Sequence, residues 1–254
     1  MHEEFQEKGF VTSPFPSSLK QAMLEYIEGY VRTLAAAADA EQSLEQIVQT
    51  IPDAMWQHKM SRCFRIFPHH LAQQAYNWAH HTLCLPFGSS RSAINVVLPQ
   101  EVQDNPQITE NHLAIYWRCV RPGKPDAGRP HRDASFWDLE FKEGYNPKIP
   151  FDFSYLHHCK KIWIPLYGCL PDTTLRVIPG SHQMDIPTIV EQTAYGRRPG
   201  ICPQWLQERK DSFISPPELS QGSSILFDMN LVHVGPCHNQ PTVRISAEFN
   251  FITQ

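Results

Sequence analysis

Leu19, Met23, Tyr26, Ile27, Tyr30 and Leu34 recur at the spacing of one helix face, and the alanines of 35–38 extend the pattern. Ser18 with Gln21 three residues on predicts a capping box at its start. A second helical pattern covers 41–51 and stops at Pro52. A third runs over 69–83, before Pro86 and Gly88 break it. From about residue 91 the period shortens to β-type runs bounded by Pro and Gly, at 92–98, 112–120, 160–166, 175–178, 223–227 and 242–252. The pattern predicts a mainly β sandwich or barrel with flanking helices. It is expected to be one domain over 1–254, with a helical layer in 1–90 and the β core in 91–254. Two segments, 138–159 and 183–221, carry no such period and are expected to be long loops that cover and select a ligand.

Composition narrows the function classes. At 254 residues and 41% hydrophobic, the chain is long enough for one sizeable core. A formal net charge of −4 gives no general footprint for nucleic acid or an anionic membrane, so a small-molecule substrate is the expected partner. Seven cysteines without a Cys-x-x-Cys pair suggest reduced thiols rather than a disulfide framework or a zinc ribbon. An acidic amino terminus without an apolar run, and no stretch of ~20 apolar residues, predict a cytoplasmic protein. Oligomeric state is not legible.

The chemistry concentrates in the second half. In 242–252, Val243, Ile245, Ala247, Phe249 and Phe251 alternate with Arg244, Ser246, Glu248 and Asn250, the pattern of a half-buried strand with a polar inner face. An arginine on that face offers a planar fork to a carboxylate, and Ser246 can add a third hydrogen bond. Equally, Arg244 could form an ordinary ion pair with Glu248. His131 and Asp133 are two apart, so on an extended segment both would point one way and Arg132 the other. His233 lies in another strand-like run, eleven residues before Arg244. Two imidazoles and one carboxylate are the face on which non-haem iron(II) is held, with three positions open. A lone His-x-Asp among thirteen histidines would say little. The pairs at 69–70, 80–81 and 157–158 form no closed zinc set and are read as solvated faces and loops.

With these residues and the run Leu175-Arg-Val-Ile-Pro-Gly-Ser-His182, the chain resembles the phytanoyl-CoA dioxygenase family of iron(II)/2-oxoglutarate-dependent oxygenases over roughly 91–254. The resemblance implies a double-stranded β-helix, the cupin-like jelly-roll, with iron(II) on His131, Asp133 and His233. It implies 2-oxoglutarate as co-substrate, held by Arg244 and Ser246, with dioxygen at the last position. Trp163 and Tyr116 are the family-implied walls of the keto-acid pocket; Arg118, Phe136 and Trp137 are candidates for substrate contact. The chain departs from relatives in having Asp172-Thr173-Thr174 where an Asn-Gly turn is common, and Gly235 where some carry a keto-acid serine. The implied reaction is hydroxylation of an unactivated C–H bond with release of succinate and carbon dioxide. Desaturation, cyclisation or epimerisation share the iron cycle. A jelly-roll that binds a small ligand or metal without turnover is the reading from another class.

Overall fold

The computed structural model describes residues 2–35, 41–59, 66–83, 115–124, 129–137, 159–193, 196–235 and 241–252. The strand expected at 92–98, the loop 138–158 and the helix extension at 36–38 lie outside them.

Three of the expected helices are present as α2 (Ser17–Leu34), α3 (Leu44–Thr50) and α5 (His69–Leu83), with α1 (His2–Lys8) and α4 (Asp53–Lys59) in addition. Ser18 does not cap α2. Pro16 is the N-cap, with no side-chain cap, and its carbonyl accepts from Lys20 N at 2.9 Å; Ser18 is already inside the first turn. The capping box belongs to α3, where Gln46 N donates to Ser43 Oγ at 3.3 Å and Ser43 N to Gln46 Oε1 at 2.7 Å.

Five antiparallel strands form the main sheet, in the order β1 (Phe10–Pro14), β7 (Ser223–Asp228), β3 (Cys159–Tyr167), β9 (Arg244–Ile252) and β2 (Tyr116–Val120). β1 comes from the segment read as helical. Phe10 and Val11 are both buried, so the strand lacks the alternation that would have marked it, and its pairing with β7 places it. A second sheet pairs β4 (Arg176–Val177) with β8 (His233–Val234). Single bridges from His131 to His233 and from Val177 to Ile214 widen it to four segments.

Alternation assigns the two faces of the main sheet. Ile162, Ile164 and Leu166 of β3 and Ile245, Ala247 and Phe249 of β9, with Val243 just before it, join Leu19, Met23, Ile27, Ile47 and Leu71 of the helical layer in one apolar cluster. The other face meets the second sheet through Trp163, Ile225, Phe227, Leu175 and Val177. This is the two-sheet sandwich of a jelly-roll with helices outside. The expected irregular stretch 183–221 instead holds a hairpin, β5 (Thr188–Thr193) with β6 (Gly196–Ile201), and short helices at Pro203–Glu208 and Pro217–Ser220. Polar and charged residues on both hairpin strands hid the period.

Gly168 ends β3 at φ +60°, where a Cβ would stand 1.9 Å from the Val243 carbonyl oxygen. Gly168→Ala combines that backbone collision with a left-handed conformation, so we expect a loss of more than about 2 kcal/mol. Urea unfolding checks this; an unchanged midpoint would show that the turn can yield.

Candidate metal centre and active site

His131 and His233 face each other across the second sheet. Each backbone N–H donates to the other's carbonyl, at 3.1 and 3.0 Å, and the ring centroids are 4.4 Å apart. The His233 segment is fixed from behind by the Pro-Gly-Ser-His turn: Val232 N donates to Ser181 Oγ at 2.9 Å, and Ile178 N to Val232 O at 3.0 Å. That gives Ser181, fully buried, a job that the sequence motif alone did not reveal.

Asp133 corrects the expectation of strand alternation. It is not on an extended segment but is the first residue of α6 (Asp133–Trp137). Ala134 N donates to Met229 O at 2.9 Å, which pins the helix start beside β8 and swings the carboxylate toward both rings. Its Oδ1 lies 3.6 Å from His131 Nε2, and its Oδ2 3.7 Å from His233 Nε2.

The hydrogen-bond pattern decides what the rings offer. His131 Nδ1 lies 2.7 Å from the Arg129 carbonyl, and His233 Nδ1 lies 2.9 Å from the Leu231 carbonyl. A carbonyl accepts and never donates, so each Nδ1 carries its hydrogen and each Nε2 presents a lone pair. Two lone pairs and a carboxylate therefore converge, with one ligand atom from each residue within 4.8 Å of the others. Such an arrangement is repulsive until a cation stands between them. The donors, two nitrogens and one oxygen, fit iron(II).

Electrostatics keep the set ready. Burial pushes the Asp133 carboxyl up, but the Lys161 ammonium more than offsets this and holds it well below the usual range. Burial lowers His233 to about 4, so it is neutral at physiological pH. The unfolded imidazole takes up a proton near ~6.5 while the folded one does not until about 4. Between those values the unfolded state binds more protons, so the metal-free protein loses stability as pH falls through that window, by about 3 kcal/mol. Denaturant titrations at pH 7.5 and 4.5 should show this slope, and His233→Gln should flatten it; equal slopes would refute it.

Lys161 was missed by the sequence reading. It is buried, with Nζ 2.9 Å from Asp133 Oδ2 and 3.5 Å from Glu248 Oε2. The first contact is short but off the line of a hydrogen bond, since Oδ2 has no aligned donor, so it is an ion pair. The available signal was a lysine two residues before Trp163 on the inner face of a strand whose other face is aliphatic.

Arg244 and Ser246 are both buried, on the inner face of β9. Arg244 Nη1 donates to the Thr173 carbonyl at 2.7 Å, within the Asp-Thr-Thr turn noted in the sequence. That turn closes by Thr173 N and Thr174 N donating to Leu170 O at 2.9 Å each. The departure at 172–174 thus builds the seat of the arginine. Gly235 is its other wall: a Cβ there would stand 2.9 Å from Arg244 Nη2. Burial pushes the neighbouring Cys169 thiol up to about 11, and Arg244 only partly counters it.

Arg118 is half-buried and pairs in register with Ser246, one strand over. Tyr116 pairs with Glu248 on the same face. Trp163 also faces inward but is packed in the apolar cluster with Phe10, Leu175 and Phe227. Phe136 sets its ring edge-on to His131, with centroids 5.2 Å apart, and so walls the metal site. Trp137 ends α6, and its side chain lies outside the described residues. His80 and His81 meet edge-on in the last turn of α5 and are not among the residues that converge on this centre.

A family model described as phytanoyl-CoA dioxygenase matches residues 30–239, spanning both histidine ligands and the aspartate. The chain belongs to the phytanoyl-CoA dioxygenase family. Among solved structures it is similar to EctD from S. alaskensis with 2-oxoglutarate and 5-hydroxyectoine, at 16% identity and TM-score 0.53, covering 99% of this chain and 74% of that one. It also matches a non-haem monooxygenase, the ThoJ–nickel complex, at 12% identity and TM-score 0.49, covering 99% and 76%. The EctD likeness supports the jelly-roll fold. No curated protein matched by sequence. Membership of the phytanoyl-CoA dioxygenase family, together with the converging triad, identifies the protein as an iron(II)- and 2-oxoglutarate-dependent oxygenase. No helix among the described residues is long and apolar enough to cross a membrane.

Proposed function

We propose that the protein hydroxylates an unactivated C–H bond of a small molecule, with iron(II) on His131, Asp133 and His233 and 2-oxoglutarate on Arg244 and Ser246. One observation carries this: two Nε2 lone pairs and a carboxylate converge on one point from a sheet bridge and a helix start, on the inner side of a barrel whose facing strand carries a buried arginine. In the balanced reaction one oxygen atom of dioxygen enters the substrate as hydroxyl and the other enters succinate, as the keto acid loses carbon dioxide.

The bound iron supplies oxygen activation. The chain supplies placement. Arg244, seated by Thr173 and Gly235, meets the far carboxylate of the keto acid, and Ser246 adds a hydroxyl on the same face. Tyr116 and Trp163 are assigned to the co-substrate side and Arg118 and Phe136 to the substrate side on the family resemblance; Trp137 is carried as a substrate candidate by its place in the sequence alone. Phe136 shields the His131 edge of the centre from water. Because Asp133 fills the carboxylate position, no ligand position is given up to a halide, which favours hydroxylation over halogenation. The partner on this reading is a small molecule; a net charge of −4 gives no general footprint for nucleic acid.

Purified protein given iron(II), 2-oxoglutarate and a panel of candidate substrates should release succinate, and a chelator should abolish it. Addition of iron(II) should restore at least ~80% of the rate, since the ligands are pre-placed on the sheet bridge. A protein that binds neither iron(II) nor 2-oxoglutarate would sink the proposal in favour of a binding module.

A further inference from the structure

We propose that Lys161, anchored by Glu248, holds the second oxygen of Asp133 so that this carboxylate gives the metal a single donor atom. The inference rests on the triad proposed above.

The argument starts from coordination number. Iron(II) held by two imidazoles and one carboxylate oxygen would keep three positions open, of which a chelating keto acid would need two and dioxygen one. A carboxylate that swings to chelate through both oxygens removes one of these, and dioxygen or the keto acid loses its place. Asp133 is the group at risk, because both its oxygens lie near the ligand nitrogens: Oδ1 at 3.6 Å from His131 Nε2 and Oδ2 at 3.7 Å from His233 Nε2.

Oδ2 is the oxygen with a cation beside it, the Lys161 ammonium at 2.9 Å. A second cation reaching Oδ2 would have to displace that ammonium or bear its repulsion at 2.9 Å, whereas Oδ1 lies on the His131 side of the carboxylate. The lysine is itself restrained. It stands on β3 inside the barrel, buried, with Glu248 of the neighbouring strand 3.5 Å away. Strand register puts Trp163 opposite Glu248 and Lys161 opposite Asn250, so the ammonium reaches diagonally between two carboxylates rather than into solvent. Ligating carboxylates are commonly fixed by such outer partners, whose loss costs about 10- to 100-fold in metal affinity or in activity, and here the second is the expected cost. Lys161 is therefore a positioning residue: it acts on the metal through Asp133, and Glu248 acts through Lys161.

The test uses full-length protein loaded anaerobically with iron(II), read by the visible charge-transfer band that forms with 2-oxoglutarate and by competition with succinate. Succinate needs at most one metal position, whereas 2-oxoglutarate needs two, and the two carry the same charge. For Lys161→Met we expect iron(II) affinity no more than about threefold weaker than wild type, 2-oxoglutarate affinity weakened at least tenfold, and succinate affinity within about threefold. Lys161→Arg, which keeps a cation between both carboxylates, should restore the 2-oxoglutarate affinity. If Lys161→Met does not fold, Lys161→Met with Glu248→Gln removes the stranded charge and is read in the same way. Equal weakening toward both acids would assign the lysine to simple charge attraction and overturn the proposal. So would wild-type 2-oxoglutarate affinity, loss of iron, or failure of the arginine to rescue. A wild-type protein that gives no band refutes the triad reading itself, separately from the role of Lys161.

Discussion

Asp133→Ala is expected to abolish iron(II) binding at micromolar metal and to lower succinate formation at least about a thousandfold. The substitution removes the one anion among the three ligands but leaves the Lys161 ammonium that stood 2.9 Å from it. A unit charge acting on another at ~4 Å with an effective dielectric of ~20 amounts to about 4 kcal/mol, or roughly three decades in affinity. The lost term is attractive for a dication, and the Lys161 repulsion that it offset is left uncompensated. The scaffold should survive: the His131–His233 bridge is made by backbone groups, and the Ala134 N to Met229 O bond does not involve the carboxylate. Asp133→Asn separates charge from shape, since it keeps the volume and one oxygen; it should lose nearly as much. Anaerobic iron(II) titration with a parallel thermal melt reads both properties. Iron affinity and turnover equal to wild type in the alanine protein would remove Asp133 from the site.

The features legible in the sequence were those set by local period. β9 announced its two faces because Ile245, Ala247 and Phe249 alternate with Arg244, Ser246 and Glu248, and the structure buries the first set against the helices. The ordered set His131, Asp133, His233 gave the convergence now found in the second sheet and α6. The route was read wrongly. Strand alternation brought His131 and Asp133 together on paper, whereas a chain turn into a helix does so in the fold, because Met229 offers a carbonyl to Ala134 that no local pattern reveals. Long-range partners account for the other misses too. β1 exists through pairing with β7, more than two hundred residues away. Lys161 gains meaning only when β9 and α6 place Glu248 and Asp133 on either side of it. The choice of substrate stayed illegible because the segments 138–159 and 183–221, expected to select it, carry no period in the sequence.

Arg244→Ala should leave iron(II) affinity unchanged and raise the apparent KM for 2-oxoglutarate by about 100-fold or more. Truncating one side of a buried, hydrogen-bonded charge pair costs about 2 to 5 kcal/mol, and each ~1.4 kcal/mol is a factor of ten. The guanidinium is placed for that contact by the chain itself: Thr173 O takes one N–H at 2.7 Å, and Gly235 leaves room on the other side. Metal binding should be spared, because none of the hydrogen bonds that orient His131 and His233 runs through Arg244. Arg244→Lys keeps the charge but loses the fork, and we expect about a tenfold rise in KM, so the gap between the two variants measures bidentate geometry apart from attraction. Gly235→Ala approaches the same question from the wall. Its added Cβ would stand 2.9 Å from Arg244 Nη2, too close for the guanidinium to keep its place. It should therefore weaken 2-oxoglutarate without touching either the charge or the metal. A Gly235→Ala protein with normal KM would mean that the arginine can move and still bind. An Arg244→Ala protein with normal KM would mean that the keto acid is held elsewhere on the inner face, with Arg118, across from Ser246, as the next residue to change.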